Sequence, residues 1–385
     1  MRKRNYLLAG MLFSAALAWH AVARAGEIQL RCSWASPNDH RNQEIPFIVN
    51  PMLVMLPGEN LRLSCELEGE AGRVTVIKNN FPVREDAVIN FTAPEKSGSY
   101  YIPLVLTAGG RRRETEICVV VPFKASARKT DKGYDVRVDG EEVGHYRHPH
   151  RSGNAKVKEN PDSYQPPVWW LRITPTNKDF ELVPGLTAGD LVAPAEDTGK
   201  PHTDLAPVCY PMWRAVNALR GALTARGIPG RSLKLISGFR APPYNRAVGS
   251  NAFGRHIYGD AFDFYVDIEG DGKATDLNRD GKLDRHDAYI IVGIIEDLQD
   301  DGKIPMGGIG VYNTVGGDHE VTMHLDMRGH RATWCYRTGP SGKRGEYAWA
   351  SRRFAELDRH EENLAAERAA KEGRPYSRPR REQLP

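Results

Sequence analysis

The stretch HIYGDAFD, residues 256–263, constrains the fold more than any other part of the chain. It places an imidazole and a carboxylate seven positions apart, with Gly259 and Ala261 between them. Small residues let the backbone turn tightly without side-chain collisions. Such a turn would bring His256 and Asp263 together, and zinc accepts both neutral nitrogen and anionic oxygen as ligands. The spacing is also compatible with a purely structural turn, so the pattern alone leaves both interpretations open.

A third metal ligand must come from another part of the chain. A hydrolytic zinc site uses three protein ligands and keeps one position for water. The stretch VTMHLDMRGHRATW, which begins at residue 321, offers His324 on a predicted strand. The overlapping run HEVTMH is not an HExxH motif, because its histidines are five positions apart and the run is strand-like. The predicted metal ligands are therefore His256, Asp263 and His324.

Four short motifs, taken in order, resemble the zinc peptidase family of D-alanyl-D-alanine carboxypeptidases and murein endopeptidases. They are SGFRAPPYN, HIYGDAFD, GGIGVYN and MHLDMRG. That family shares its fold with VanX-type dipeptidases and the hedgehog signalling domain, and the resemblance covers about residues 166–340. It implies that His256, Asp263 and His324 bind zinc. It also implies that zinc-activated water cleaves peptidoglycan stem peptides or their crosslinks.

The same resemblance implies a catalytic role for Arg240, which stands at the arginine position of the SGxR motif. A guanidinium presents its donors as a planar fork, which suits a substrate carboxylate or the oxyanion of a tetrahedral intermediate. A surface ion pair is the alternative for this residue.

The sequence leaves the general base open between several residues. Gly254 replaces the family's serine two residues before the first histidine, and Val321 replaces the acid that many members carry three residues before the last. A base is still needed to deprotonate the water and to protonate the leaving amine. Asp326 is one candidate, since it completes an HxD of the murein endopeptidase branch. The upstream alternatives are Asp318, His319 and Glu320.

The segment DLNRDGKLDRHD, residues 276–287, fits a twelve-residue calcium loop. Gly281 stands at the sharp turn of position six, and a helix is expected from Ala288. The pattern resembles dockerin-type loops, which end in Asp, and it lies within an acidic segment at 267–287. An acidic turn without a fixed ion is the alternative. The predicted calcium ligands are Asp276, Asn278, Asp280, Lys282 through its carbonyl oxygen, Asp284 and Asp287.

Residues 26–125 predict an immunoglobulin-like β-sandwich. Runs rich in Val, Ile, Thr and Tyr, such as RVTVIKN and TEICVVVPF, alternate with turn signals such as LPGEN and PEKSGS. Cys65 and Cys118 lie in two of these runs, so a disulfide between the sheets is a plausible pairing. The polar and basic segment 126–165 is predicted to be a linker. The remaining segments are a predicted α+β domain at 166–345 and a charged helical or disordered tail at 346–385.

The first 25 residues have the form of a secretory signal. The basic MRKRN precedes 14 apolar residues and the sequence AVARA, so cleavage is expected after Ala25. Fourteen apolar residues are fewer than the ~20 that a membrane span needs, so no stable span is expected after cleavage. The signal holds four of the 53 basic residues and no acidic residue, which leaves 49 basic against 49 acidic. This balance argues against a nucleic-acid partner.

Together these patterns predict a multidomain, periplasmic or secreted zinc metallopeptidase that acts on peptidoglycan and carries both zinc and calcium. The alternative is a non-catalytic cell-wall-binding module that zinc and calcium stabilise. The replacement of the expected acid by Val321 keeps this alternative open.

Overall fold

The computed structural model describes residues 28–36, 39–45, 51–67, 70–78, 81–192, 203–314, 321–338 and 344–347. The predicted secretory signal lies outside these ranges, as does the predicted tail apart from its first two residues. Within the described ranges, no helix combines the length and the apolar character that crossing a membrane would require.

Two β-sheets form the N-terminal part of the chain. One has the strand order β2-β1-β4-β5, with β8 also paired to β4, and the other has the order β3-β10-β9-β6-β7. On β4, Leu61, Leu63 and Leu67 are buried and alternate with more exposed residues, which is the pattern of a strand with one face in a core. The immunoglobulin-like assignment of these sheets stays a prediction. The strands are β1 Gln29–Ser36, β2 Asp39–Ile45, β3 Met52–Val54, β4 Asn60–Leu67, β5 Glu70–Ala71, β6 Arg73–Lys78, β7 Phe81–Asp86, β8 Val88–Thr92, β9 Gly98–Ala108 and β10 Arg111–Val121.

The proposed pairing of Cys65 with Cys118 is wrong, because both thiols are free. Cys65 belongs to the core between the two sheets, which it shares with Ile117 and Val119 of β10. Cys118 lies between those two residues, so the alternation of a strand directs its side chain to the opposite face. Cys118 therefore points away from the core that holds Cys65, and the two cysteines cannot bridge.

Residues 126–165 are folded, although their composition suggests a linker. Three antiparallel strands in the order β12-β13-β14 bury Val136, Val138 and Tyr146 in a core that they share with residues of the C-terminal part, including Ile257 and Tyr258. The polar residues that dominate the composition occupy the exposed positions of these strands, which conceals the buried face in a simple count. The elements here are β11 Phe123–Lys124, β12 Ser126–Lys129, β13 Gly133–Val138, β14 Glu141–Arg147 and α1 Ala155–Glu159.

A six-stranded sheet carries the C-terminal part, in the order β19-β20-β22-β21-β23-β24. Its pairs are antiparallel except β21 with β23, which agrees with the mixed α+β pattern of the sequence. Helices α2 and α4 pack against one another and share one core with the sheet. The elements are β15 Trp169–Arg172, β16 Glu181–Val183, β17 Leu186–Thr187, β18 Leu205–Pro207, α2 Tyr210–Ala225, β19 Leu233–Ser237, α3 Pro242–Ala247, β20 Ala261–Val266, α4 Arg285–Asp300, β21 Gly308–Thr314, β22 Val321–Asp326, β23 Ala332–Thr338 and β24 Arg344–Tyr347.

The strands of this sheet separate core residues from candidate ligands. Phe262 and Phe264 on β20, and Met323 and Leu325 on β22, enter the core shared with the helices. The intervening residues therefore point to the opposite face of the sheet. The two strands pair with Asp263 directly opposite His324, so strand register alone places two of the predicted ligands side by side.

The N-terminal sheets and the six-stranded sheet are joined through one continuous core. Met52 and Cys118, from strands β3 and β10, belong to the same buried cluster as Met212 and Trp213 of α2. The hydroxyl of Tyr210 also donates to the carbonyl oxygen of Val54, at 2.6 Å. The two parts therefore pack directly against each other.

Candidate metal centre

Three side-chain atoms meet on the sheet face opposite the helices. His256 Nε2 lies 3.2 Å from Asp263 Oδ1 and 3.2 Å from His324 Nδ1, and that Nδ1 lies 2.9 Å from the same Oδ1. Ligands about 2.0–2.1 Å from a tetrahedral zinc stand roughly 3.3 Å from one another. The separations of the three atoms match those of three ligands on a single ion.

A short turn presents His256 to this centre. Residues Arg255–Tyr258 form a 3₁₀ turn that ends at Gly259, whose φ of 73° lies in the left-handed region. A Cβ at this glycine would lie 2.7 Å from a ring carbon of Pro207, so both the conformation and the space exclude a side chain. The tight turn expected from the sequence is present, and its glycine is required for it.

The ring orientation of His256 is set by a backbone carbonyl. Its Nδ1 donates to the carbonyl oxygen of Gly238 at 2.7 Å, which leaves the Nε2 lone pair directed at Asp263 and His324. Burial lowers the pKa of His256 despite the nearby Asp263 carboxylate, so the neutral ring that a metal requires is favoured.

His324 is held by a carboxylate on its other side. Its Nε2 donates to Asp326 Oδ2 at 3.1 Å, so Nδ1 is the nitrogen that offers a lone pair to the centre. Burial works against a proton on this ring, but the hydrogen bonds to Asp263 and Asp326 raise the pKa of His324 to about 9. Without an ion, the proton on His324 Nδ1 lies between this ring and the Asp263 carboxylate. A metal bound at the centre would displace that proton and take the Nδ1 lone pair together with that of His256.

Asp326 orients His324 and does not face the centre. Its side chain is fully buried, and it accepts hydrogen bonds from the backbone amides of Gly308 and Arg328 at 3.0 and 3.1 Å. The Arg328 guanidinium adds further hydrogen bonds to both carboxylate oxygens. Against the effect of burial, these bonds and that of His324 hold the pKa of Asp326 well below its usual range. A carboxylate so committed is a poor proton shuttle, and this geometry gives no support to the predicted base role of Asp326.

Arg240 reaches the centre through Asp263. One guanidinium nitrogen bonds the second oxygen of Asp263, and Nε donates to the hydroxyl of Ser237 at 2.9 Å. Opposing burial, the histidine charges and hydrogen bonds keep the pKa of Asp263 well below its usual range. The predicted catalytic arginine therefore lies at the site, where it also anchors a metal ligand.

Three glycines of the GGIG motif make room for the supports of the centre. A Cβ on Gly307 would lie 1.6 Å from the backbone oxygen of Asp326, and one on Gly308 would lie 2.4 Å from its Oδ2. A Cβ on Gly310 would lie 2.4 Å from the indole nitrogen of Trp334. The indole lies over Gly310 and packs against the ring of His324, with the centroids 5.1 Å apart. The motif is thus explained by close packing beneath the ligands.

One family model matches part of the region that carries the centre. Residues 197–286 match the family model Peptidase M15. The match covers about a quarter of the chain; it includes Arg240, His256 and Asp263 and ends before His324. It supports the M15 zinc peptidase family and a zinc metallopeptidase in general. Comparisons with curated proteins and with solved structures give no match.

The other predicted base residues cannot be placed. Asp318, His319 and Glu320 lie in 315–320, outside the described residues. Val321, at the family's acid position, is buried among the core residues and carries no titratable group. His319 therefore stays a prediction, as do its two neighbours.

The acidic loop before α4 folds on its own hydrogen bonds. Asp276 accepts the amide of Gly281 at 2.7 Å, and Asp287 accepts the amides of Asn278 and Asp284 at 3.1 and 3.0 Å. The predicted glycine at position six has a φ of 83°. Helix α4 begins at Arg285, three residues before the predicted start, because the Asp284 side chain caps it.

The predicted calcium ligands do not form a cluster comparable to the zinc candidates. Among the described residues, the one group of three His, Cys, Asp or Glu side chains with ligand atoms within 4.8 Å of one another is His256, Asp263 and His324. Burial raises the pKa of Asp287 to about 7, and the nearby Asp276 and Asp284 carboxylates add to this shift. A calcium site here stays a prediction.

Several residues that support the centre were missed by the sequence reasoning. Arg255, directly before the HIYGDAFD stretch, forms a buried ion pair with Asp260 inside it. Arg328 and Trp334 contact Asp326 and His324. Arg255 directly precedes His256, and Asp260 lies between His256 and Asp263, so only their charge could have marked them. Arg328 and Trp334 follow the HxD at short range, but strand pairing was needed to bring Trp334 back under the ligands.

Proposed function

We propose that the chain is an exported zinc metallopeptidase that hydrolyses peptide bonds of peptidoglycan stem peptides or their crosslinks. The observation that carries the proposal is the triangle of donor atoms from His256, Asp263 and His324, 2.9–3.2 Å apart. The Peptidase M15 match supports the zinc peptidase part. The substrate class rests on the family resemblance, and export to the periplasm or beyond rests on the signal-like N-terminus.

The ligands, the groups that orient them and Arg240 would have different roles in such a site. A zinc ion held by the three ligands would lower the pKa of water and polarise a peptide carbonyl. Gly238 and Asp326 fix the two imidazole rings, so that neither has to reorient during the reaction. Arg240 Nη1 has no partner among the described residues, and it is available to a substrate carboxylate or to the developing oxyanion.

Proton transfer is assigned to the segment just before β22. Asp326 is engaged behind His324, and Val321 has no proton to exchange. We therefore assign the base to Asp318, His319 or Glu320. Each of the three is replaced in turn with Ala. The variant that removes the base should have a lower kcat and unchanged zinc binding. Three variants with wild-type kcat would refute this assignment.

Digestion of purified murein tests the function directly. Mass spectrometry of the released muropeptides should show cleaved stem peptides or crosslinks, and the products identify the bond. A chelator should abolish the cleavage, and zinc should restore it. His256→Ala should be inactive, whereas His150→Ala, at an exposed histidine outside the centre, should match the wild type. Cleavage that survives both the chelator and His256→Ala would contradict the proposal.

Calcium is proposed as a structural ion of the 276–287 loop. The loop concentrates oxygen ligands in the order that a calcium loop uses, and it connects β20, which bears Asp263, to helix α4. With zinc occupancy held constant, calcium at 100 times its Kd should stabilise the fold by about 2.7 kcal/mol.

Thermal unfolding in calcium and in a calcium-selective chelator measures this effect. Asp280→Ala should remove the calcium-dependent shift in Tm. Asp179→Ala, which alters an exposed aspartate outside the loop, should retain it. An equal Tm in both solutions for the wild-type protein would refute a stabilising ion.

A second candidate is a non-catalytic module that binds the cell wall. Val321, at the position of the expected acid, favours it, because a centre without a base holds zinc but does not turn over substrate. This candidate predicts that the protein co-sediments with murein and releases no muropeptides in the digestion assay. Detectable cleavage that depends on His256 would exclude it.

A further inference from the structure

The sheet of strands β12, β13 and β14 contacts the turn that carries His256. Tyr146 on β14 is fully buried, and its hydroxyl donates to the carbonyl oxygen of Ile257 at 2.8 Å. Ile257 directly follows the metal-ligand candidate His256.

Strand β14 is also seated tightly against the segment that follows Arg240. Gly144 packs on Pro242 and Pro243 of helix α3, and a Cβ there would lie 2.8 Å from Pro243 Cδ. Its φ of 140° adds to the restriction. A side chain at this position would push β14, and Tyr146 with it, away from the turn.

The chain after β14 grips the same turn from a second direction. Arg255 Nη1 donates to the carbonyl oxygen of Ser163 at 2.6 Å, and the guanidinium stacks over the ring of Tyr164 at 4.7 Å. The same guanidinium pairs with Asp260, whose carbonyl oxygen accepts the amide of Met327 at 2.9 Å. The turn is thereby held at Arg255, Ile257 and Asp260.

We propose that residues 126–165 form a clamp that positions the metal centre. The positioning residues are Tyr146 within the clamp and Arg255, which the clamp holds through Ser163. Tyr146 fixes the position of the turn that directs His256 Nε2 at the centre, through its hydrogen bond to Ile257. Arg255, anchored on Ser163, sets the start of β20 through Asp260, three residues before Asp263. The inference rests on the proposed zinc site, and neither residue touches the ion or the substrate.

Tyr146→Phe tests the clamp, because it deletes one hydroxyl and retains the ring. Zinc affinity is measured by competition with a chromophoric chelator, and the ligand geometry is read from the visible absorption of the cobalt-substituted protein. We expect zinc binding about tenfold weaker than in the wild type, as is usual when a support of a metal ligand is lost. The cobalt spectrum should change in shape. Tyr134→Phe is the matched control, since Tyr134 lies in the same small sheet and packs on His148.

Arg255→Lys provides an independent variant, which keeps the charge but loses the fork that spans Ser163 and Asp260. It should weaken zinc binding and alter the cobalt spectrum in the same direction as Tyr146→Phe. If Tyr146→Phe does not fold, this variant decides the outcome. Zinc affinity within twofold of the wild type, with an unchanged cobalt spectrum, in the folded variants would overturn the proposal.

His256→Ala separates failure of the clamp from failure of the zinc site itself. It should abolish stoichiometric zinc binding. If His256→Ala loses zinc while the clamp variants bind it normally, the zinc site stands and the clamp is wrong. If His256→Ala binds zinc like the wild type, the metal-centre assignment is wrong and the clamp falls with it.

Discussion

Asp326 contributes to the centre through His324, and its buried charge is balanced by Arg328. Asp326→Asn keeps the size of the side chain but removes the negative charge. Loss of such a support typically weakens metal binding by about 10–100-fold. Removing one partner of a buried ion pair also costs on the order of 3–5 kcal/mol in unfolding free energy. Chelator competition and urea unfolding measure the two effects.

Asp135→Asn is a suitable control for this variant. Asp135 pairs with Arg128 on the exposed face of the small sheet, far along the chain from the centre. Its replacement should leave zinc affinity unchanged. If Asp326→Asn were indistinguishable from Asp135→Asn in both assays, the orienting role of Asp326 would have to be abandoned.

The thiols of Cys65 and Cys118 should resist alkylation in the native protein. Burial raises the pKa of Cys118 to about 12 and raises that of Cys65 as well, so at pH 8 both are protonated and unreactive. Iodoacetamide should label neither residue in the native protein and both in urea without reductant. Peptide mass spectrometry would contradict this assignment if it found the two residues in one disulfide-linked pair.

Strand β21 depends on glycine because the Trp334 indole occupies the space of a side chain. Gly310→Ala would place a Cβ about 2.4 Å from the indole nitrogen, so the ring must shift. Overpacking of this kind costs about 1–3 kcal/mol. Gly293→Ala is a matched control, since a Cβ in the middle of α4 meets no atom within 4 Å and alanine favours helix. Urea unfolding should show a loss for the first variant and none for the second.

The elements show what local patterns could and could not predict. The sequence placed His324 on a strand, where apolar residues flank it on both sides. The structure shows the same alternation around Asp263. Alternation is also present in residues 126–165, but there Val136, Val138 and Tyr146 are spaced among charges and histidines that conceal it. Trp334 could not be linked to His324 from the sequence, since their proximity depends on β23 pairing with β21. Roles that depend on partners distant in sequence, such as that of Asp326, required the structure.

At the scale of the whole molecule, one core joins the N-terminal sheets to the predicted peptidase region. The sequence suggested separate domains because composition changes near residue 125, but it could not show that Met52 packs with the residues of α2. Few contacts cross the boundary between independent domains. Here a shared buried core crosses the boundary near residue 125. The two parts should therefore unfold together.

Met52→Ala tests that coupling. Truncating a buried methionine costs about 2–5 kcal/mol. The urea midpoint should fall equally when unfolding is followed by far-UV circular dichroism and by zinc release. Val83→Ala, at a side chain 57% exposed on β7, should leave both midpoints unchanged. A zinc-release midpoint that stayed at the wild-type value in Met52→Ala would show that the two parts unfold independently.

The alternation along β22 limits which mutations could change the metal preference of this site during evolution. His324 and Asp326 share the strand with Met323 and Leu325, which face the other way. Insertion or loss of one residue would turn the imidazole into the apolar interior and the leucine towards water. New metal preferences must therefore arise by exchange of side chains at fixed positions, and changes of length are confined to loops such as the one between β20 and α4.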